Sequence, residues 1–159
     1  MAVNAPVLNA IDLISGGEAE FYIVANGKRT WCMNATKVNA TYTKKKTEIR
    51  VLGSRTSKHK SSGGEGTGTM SLYYNSSLFR KIMEEYKESG VDSYFEAYVT
   101  NNDSTSSAGR QTTRLVDVNL DSIIVAMFDV EQDGALVEDV AYTFDDWNLM
   151  ESFNEIERV

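Results

Sequence analysis

The chain has 159 residues, 42% of them apolar and 25% charged, with one proline, eleven glycines and a formal net charge of −7 at pH 7; that fits one globular domain with its own core and carries no collagen-like or linker-like bias. No run approaches the roughly 18 apolar residues of a membrane-spanning helix, and because the first seventeen residues hold no Lys or Arg, export by a secretory leader is not expected. A soluble protein is expected, and its single cysteine, Cys32, permits no internal disulfide and reads as a small core residue.

Residues 1–16 contain Val7, Leu8, Ile11, Leu13 and Ile14 and are expected to form an N-terminal arm, docked on a neighbour or covering the core locally. From Glu18 to Ala25, Ala19, Phe21, Ile23 and Ala25 alternate with Glu18, Glu20, Tyr22 and Val24, the period of a half-buried strand. Asn26-Gly27 then supplies the positive φ angles of a tight hairpin turn. The strand that follows from Lys28 carries Trp31 and Met33, turns polar beyond Ala35 and is expected to leave the core before Thr41.

Residues 41–68 are the least core-like part of the chain. They hold Lys44, Lys45, Lys46, Arg50, Arg55, Lys58, His59 and Lys60, followed by Gly63-Gly64-Glu65-Gly66-Thr67-Gly68. An extended loop is expected here, its glycines acting as a flexible connector. Loops of this length inside a compact domain are mostly functional or disordered, so its order is expected to come from outside the domain.

Met70, Leu72 and Tyr74 alternate with Ser71 and Tyr73 as a further strand. Ser76 and Ser77 offer hydroxyl caps for a helix over 77–89, in which Phe79, Ile82, Met83 and Tyr86 share one face and Gly90 supplies the left-handed stop. Phe95, Ala97 and Val99 mark the next strand, and Asn101 to Gln111 a second flexible loop. From Arg114 to Gln132 the even residues Val116, Val118, Leu120, Ile124, Ala126, Phe128 and Val130 are apolar. A straight strand of that length would exceed about 50 Å, so two strands with a bend near Asn119–Ser122 are expected. Asp133-Gly134 reads as a hairpin turn, and Val140, Tyr142 and Phe144 as a last strand before Trp147 and an acidic tail. The tally is seven to nine strands and one helix.

Motifs for chemistry are incomplete. The glycines of 63–68 lack the Lys-Ser/Thr that a phosphate-cradling loop needs, and a strand rather than a helix follows them. Asp129 to Gly134 opens like a calcium loop, yet its twelfth position is Val140 instead of the closing Glu. His59, the one imidazole, sits among Arg55, Lys58 and Lys60 with no partner base or ligand in the pattern. Neither a catalytic residue, a cofactor nor a metal is expected.

Charge is divided along the chain. Eight of the sixteen Lys and Arg lie between Lys37 and Lys60 with one acid, Glu48, whereas Asp117 to Val159 holds twelve acids and one base, Arg158. Two readings fit: both stretches are merely hydrated, or the basic excursion of one subunit meets the acidic region of the next. A net charge of −7 opposes strong attraction to nucleic acid.

The run RVLGSRTSKHKSSGGEGTGTMSLYYNSSLF, Arg50 to Phe79, resembles the core-tail, or tail tube, proteins of contractile phages and PBSX-like prophages. The likeness continues in VDSYFEAYVTNNDSTSSAGRQTTRLVDVNLDS, Val91 to Ser122, and in AYTFDDWNL, Ala141 to Leu149. The resemblance implies a mainly β fold of two packed antiparallel sheets forming a barrel-like sandwich, with one flanking α-helix and a long extended loop. It further implies homo-hexameric rings stacked head-to-tail, with 41–68 as the inter-subunit loop and Lys44, Lys45, Lys46, Arg50, Arg55, Lys58, His59 and Lys60 at the contacts. A tail sheath, baseplate and tail-terminator proteins would be its partners, DNA would pass through the lumen unbound, and assembly would occur in the bacterial cytoplasm, for a phage or a tailocin. Without the resemblance, a monomeric small-ligand β-barrel whose Tyr-rich strands line a pocket is the alternative.

Overall fold

A computed structural model describes residues 7–156, so the first six residues of the expected arm, and Glu157 and Arg158 of the acidic tail, lie outside the described residues. Among the described residues eight strands and one α-helix are formed: β1 Ala19–Ala25, β2 Lys28–Trp31, β3 Ala35–Ile49, β4 Lys58–Tyr73, α1 Leu78–Ser89, β5 Phe95–Asn102, β6 Arg110–Ser122, β7 Val137–Phe144 and β8 Asp146–Glu151. The protein is mainly β, as expected. The chain divides into two compact units, one holding the segments up to Met33, Phe95–Val116 and from Trp147, the other Asn34–Tyr94 and Asp117–Asp146.

In the first unit strand order is β2-β1-β5-β6, with β8 also on β6; in the second it is β6-β7-β4-β3. Because β6 serves both, the two expected sheets are joined into one antiparallel order that ends at β2 and β3 and does not close. Asp117, with φ 54, marks the change within β6. Aspartate tolerates this left-handed conformation better than most residues, and it shifts the alternation, so that Leu115 is buried on one side of it and Val118 and Leu120 on the other.

The first unit shows why alternation forms its strands. Asn26 (φ 53) and Gly27 (φ 76) make the expected turn and bring Ala25 opposite Lys28. Phe21, Ile23, Phe95 and Ala97 are buried on one face. On the other, Tyr22 stacks on Tyr98 at 4.7 Å, Arg29 lies 4.5 Å over the Tyr22 ring, and Arg114 pairs with Glu96 at 2.5 Å. That guanidinium holds the Glu96 carboxyl below the usual carboxylate range. The strand expected from Lys28 onward breaks after Trp31, where the Cys32 amide donates to Phe21 O. The loop expected to be flexible at 101–111 is fastened instead. Ser15 and Thr105 amides donate to the Asp103 carboxylate, and the Ser107 hydroxyl donates to Asp12 Oδ1 at 2.6 Å.

Burial pushes the Cys32 thiol up to about 11. At pH 8 the folded protein should therefore resist a thiol reagent that labels the urea-unfolded chain at once, since the thiolate is the reactive form. Labelling of the native chain at the unfolded rate would place Cys32 at the surface.

In the second unit Met70, Leu72, Val118, Val140, Tyr142 and Phe144 form the core. Helix α1 begins after Ser77, whose side chain makes no capping hydrogen bond, and ends at Gly90 (φ 73); the hydroxyl of Ser76, one of the two expected caps, accepts from the Leu78 amide at 3.3 Å. Phe79 is buried and Ile82 and Met83 are half-buried, bordering a cleft with Leu120. Residues 123–136 form no strand, so the second of the two strands expected from 114–132 and the hairpin at Asp133-Gly134 are absent. Among the described residues no helix is long and apolar enough to cross a membrane.

Candidate assembly interface

The stretch expected to be a loop is a β-hairpin. β3 and β4 pair from Ala35↔Leu72 to Ile49↔Lys58, with two register shifts, one between Ala35 and Lys37 and one where Lys45 faces Gly63 and Lys46 faces Ser61. The ordering comes from the segment's own backbone hydrogen bonds, which polar and glycine-rich sequences can make as well as apolar ones.

The hairpin has two halves. From Gly66 to Tyr73, β4 lies between β3 and β7, and Met70 and Leu72 are buried there. Beyond the Gly66↔Phe144 pair β7 ends, and Thr43–Ile49 continues with Lys58–Glu65 as a two-stranded ribbon about 20 Å long. Every residue of that ribbon is exposed. A ribbon with no third strand and no core beneath it is marginal by itself in water.

Three glycines explain how the ribbon leaves the core. Gly64, Gly66 and Gly68 recur at alternate positions, and a Cβ on each would collide with the rings of Tyr42, Phe144 and Tyr142 respectively. The rings lie across bare backbone, which covers residues that otherwise weaken a strand. The Tyr142 hydroxyl, buried, donates to Asn39 O at 2.6 Å and ties β7 to β3 across β4. The connector reading of these glycines is thus replaced by close aromatic packing.

The candidate contact residues gather on this ribbon and its tip. Lys44, Lys45 and Lys46 lie in β3, Lys58, His59 and Lys60 in β4, and Arg50 and Arg55 in the connection between them. Directly paired residues project to one side, so Lys44, Lys46 and His59 share one face of the ribbon and Lys45, Lys58 and Lys60 the other. Among the described residues Lys45 has an ion pair, with Glu65 at 3.3 Å, and both side chains are more than half exposed. Such pairs contribute little, which leaves the cationic field of the ribbon largely uncompensated. The tip also exposes Ile49, Val51 and Leu52, which no charge pattern singles out.

The acids of 117–156 do not act as one patch. Glu138 is buried against Arg80, Glu151 faces Arg110 at 3.6 Å, and Asp139 accepts from the Ser71 hydroxyl. Asp129, Glu131 and Asp133 stand exposed on the irregular segment 123–136.

These features meet known proteins in one family. The phage tail tube protein family matches residues 7–151. Phage-like element PBSX protein XkdM of Bacillus subtilis (strain 168) is 33% identical over 148 residues, covering 93% of this chain and 97% of that one. The tube-terminating cap of the anti-feeding prophage superposes with a TM-score of 0.68 at 11% identity, over 96% of this chain and 100% of that one. A chain of the PVC sheath-tube complex, an extracellular contractile injection system in its extended state, gives 0.64 at 10% identity, over 87% and 91%. At those identities the two structures speak for the fold.

Proposed function

The chain belongs to the phage tail tube protein family and is a structural subunit of a tail tube, and from that premise we propose that it forms homo-hexameric rings stacked head-to-tail around a lumen. The observation that carries this reading is the cationic ribbon of 43–65, which extends past the end of β7 and whose one ion pair among the described residues is the exposed Lys45–Glu65. The cations Lys44, Lys45, Lys46, Arg50, Arg55, Lys58 and Lys60, with His59, contact the adjoining subunit or ring. Hexamers of this kind sit inside a tail sheath, between baseplate and tail-terminator proteins. The net charge of −7 lets DNA pass the lumen without being held. Catalysis has no part in this role, and assembly takes place in the bacterial cytoplasm. Nothing favours the ligand-binding barrel, since the strand order is open.

Sedimentation and negative-stain microscopy test the reading: rings or rods are expected, whereas a particle that stays at 17.7 kDa when concentrated would end it. Reversing Lys44, Lys45 and Lys46 together to Glu should abolish rods while changing the stability of the dilute protein by no more than about 0.5 kcal/mol, as for exposed sites in general. Raised salt should weaken assembly of the unaltered protein in the same direction. Rods of unchanged length from the triple variant would remove the ribbon from the contact.

A further inference from the structure

Residues 123–134 present a second feature that the fold leaves unused. They run apolar from Ile123 to Phe128 and then alternate with acids through Glu131, they pair with no strand among the described residues, and Val125, Phe128 and Val130 are 78%, 85% and 79% exposed. Asp129, Glu131 and Asp133 lie between and beside them. The hairpin tip has the inverse composition: Val51 and a fully exposed Leu52, set among Arg50, Arg55 and Lys58. Each is an apolar patch rimmed by charge, and the two rims have opposite sign.

Their places in the fold keep them apart within one chain. β4 spans about 50 Å. The tip precedes its Lys58 end, while the irregular segment is held at its Tyr73 end, where the Tyr74 amide donates to Leu136 O at 2.8 Å and Arg80 donates to Ile124 O at 3.3 Å. Complementary patches at opposite ends of one unit cannot satisfy each other internally, but they meet when copies stack in one direction. We infer that residues 123–134 of one subunit are the receptor for the hairpin tip of the next, with Leu52 seated against Phe128 and Arg50 and Arg55 facing Asp129 and Glu131. This rests on the head-to-tail reading above and supplies its missing partner surface. The docked tip removes both apolar patches from water and gives the unpaired segment a strand edge on which to order.

Chains carrying Leu52→Cys and Phe128→Cys, assembled together and oxidised, should give disulfide dimers containing one of each. The Cys32 thiol, buried and held protonated, does not compete. A Leu52→Cys and Val91→Cys mixture, also exposed, is the control. Rods that yield no more dimer with Phe128→Cys than with Val91→Cys would overturn the receptor assignment and leave the tube reading intact, whereas absence of any polymer from the unaltered chain would overturn both. Charge reversal gives an independent readout. Arg50→Glu with Arg55→Glu, or Asp129→Lys with Glu131→Lys, should each lower sedimentable polymer about tenfold or more, and the four changes in one chain should restore it. A combined variant no better than either pair, or pairs without effect, would equally sink the assignment.

Discussion

Replacing Arg80 with alanine is expected to destabilise its unit by about 3 kcal/mol, the lower end of the range for breaking a buried ion pair. Its Nη1 lies 2.5 Å from Glu138 Oε2, with side chains 18% and 3% exposed. The same guanidinium donates to Ile124 O and Ser76 O and lies 4.4 Å over the Tyr74 ring. One residue of α1 thus fastens β7, the helix entry and the start of segment 123–136. Removing it leaves the Glu138 carboxylate out of water with its cation gone, which costs more than the pair contributes when intact. Urea unfolding of dilute protein measures the loss, with exposed Lys81→Ala as the unperturbed control. Arg80→Lys should recover only part of it, because an ammonium makes neither the forked contacts nor the ring stack. Arg80→Met combined with Glu138→Leu should recover more than Arg80→Ala alone, since no charge is then stranded. An Arg80→Ala loss under about 1 kcal/mol would show that Glu138 is better hydrated than its burial implies.

The sequence was most legible where one face of an element is buried and the other wet. β1, β5, β7 and α1 follow from the spacing of Phe21 and Ile23, Phe95 and Ala97, Val140, Tyr142 and Phe144, and Phe79, Ile82 and Met83. The turns at Asn26-Gly27 and the stop at Gly90 follow from φ preferences that few other residues share. Periodicity misled where its premise failed. The even positions of 124–130 are apolar, but so are Val125 and Met127 between them, and among the described residues the segment forms no strand. At Asp117 one left-handed residue moves the phase of β6 and no propensity announces it.

The candidate interface was half visible. Its charges stand plainly in the sequence, as does the polar character of 41–68, although Gly66 within it is buried. The hairpin itself was hidden, because a ribbon wet on both faces has no reason to alternate and its hydrogen bonds use backbone that every residue carries. Lys44 opposite Gly64 and Thr47 opposite Lys60 are pairings that only coordinates reveal. The apolar residues of the tip were invisible for the opposite reason. Val51 and Leu52 look like two unremarkable hydrophobes among polar neighbours until their exposure is known.

Gly66→Val is expected to cost about 2–3 kcal/mol, the scale of forcing extra atoms into a packed site. Gly66 is buried, pairs with both Tyr42 and Phe144, and lies beneath the Phe144 ring, so that a side chain there meets the ring and the Phe144 carbonyl oxygen. The ring cannot move aside without leaving the core in which it is buried. Gly16→Ala, in open space, should change nothing measurable. Phe144→Ala alone should cost about 3–5 kcal/mol, and adding Gly66→Val to it should cost less than Gly66→Val does in the unaltered chain, because the ring is the main obstacle. Full additivity in that cycle would mean that Phe144 does not cover Gly66. The site also lies where the ribbon departs from β7, so displacing β4 there re-aims about 20 Å of ribbon beyond it. Gly66→Val should therefore lower polymer yield further than Phe144→Ala does at matched stability, a difference that sedimentation reads directly.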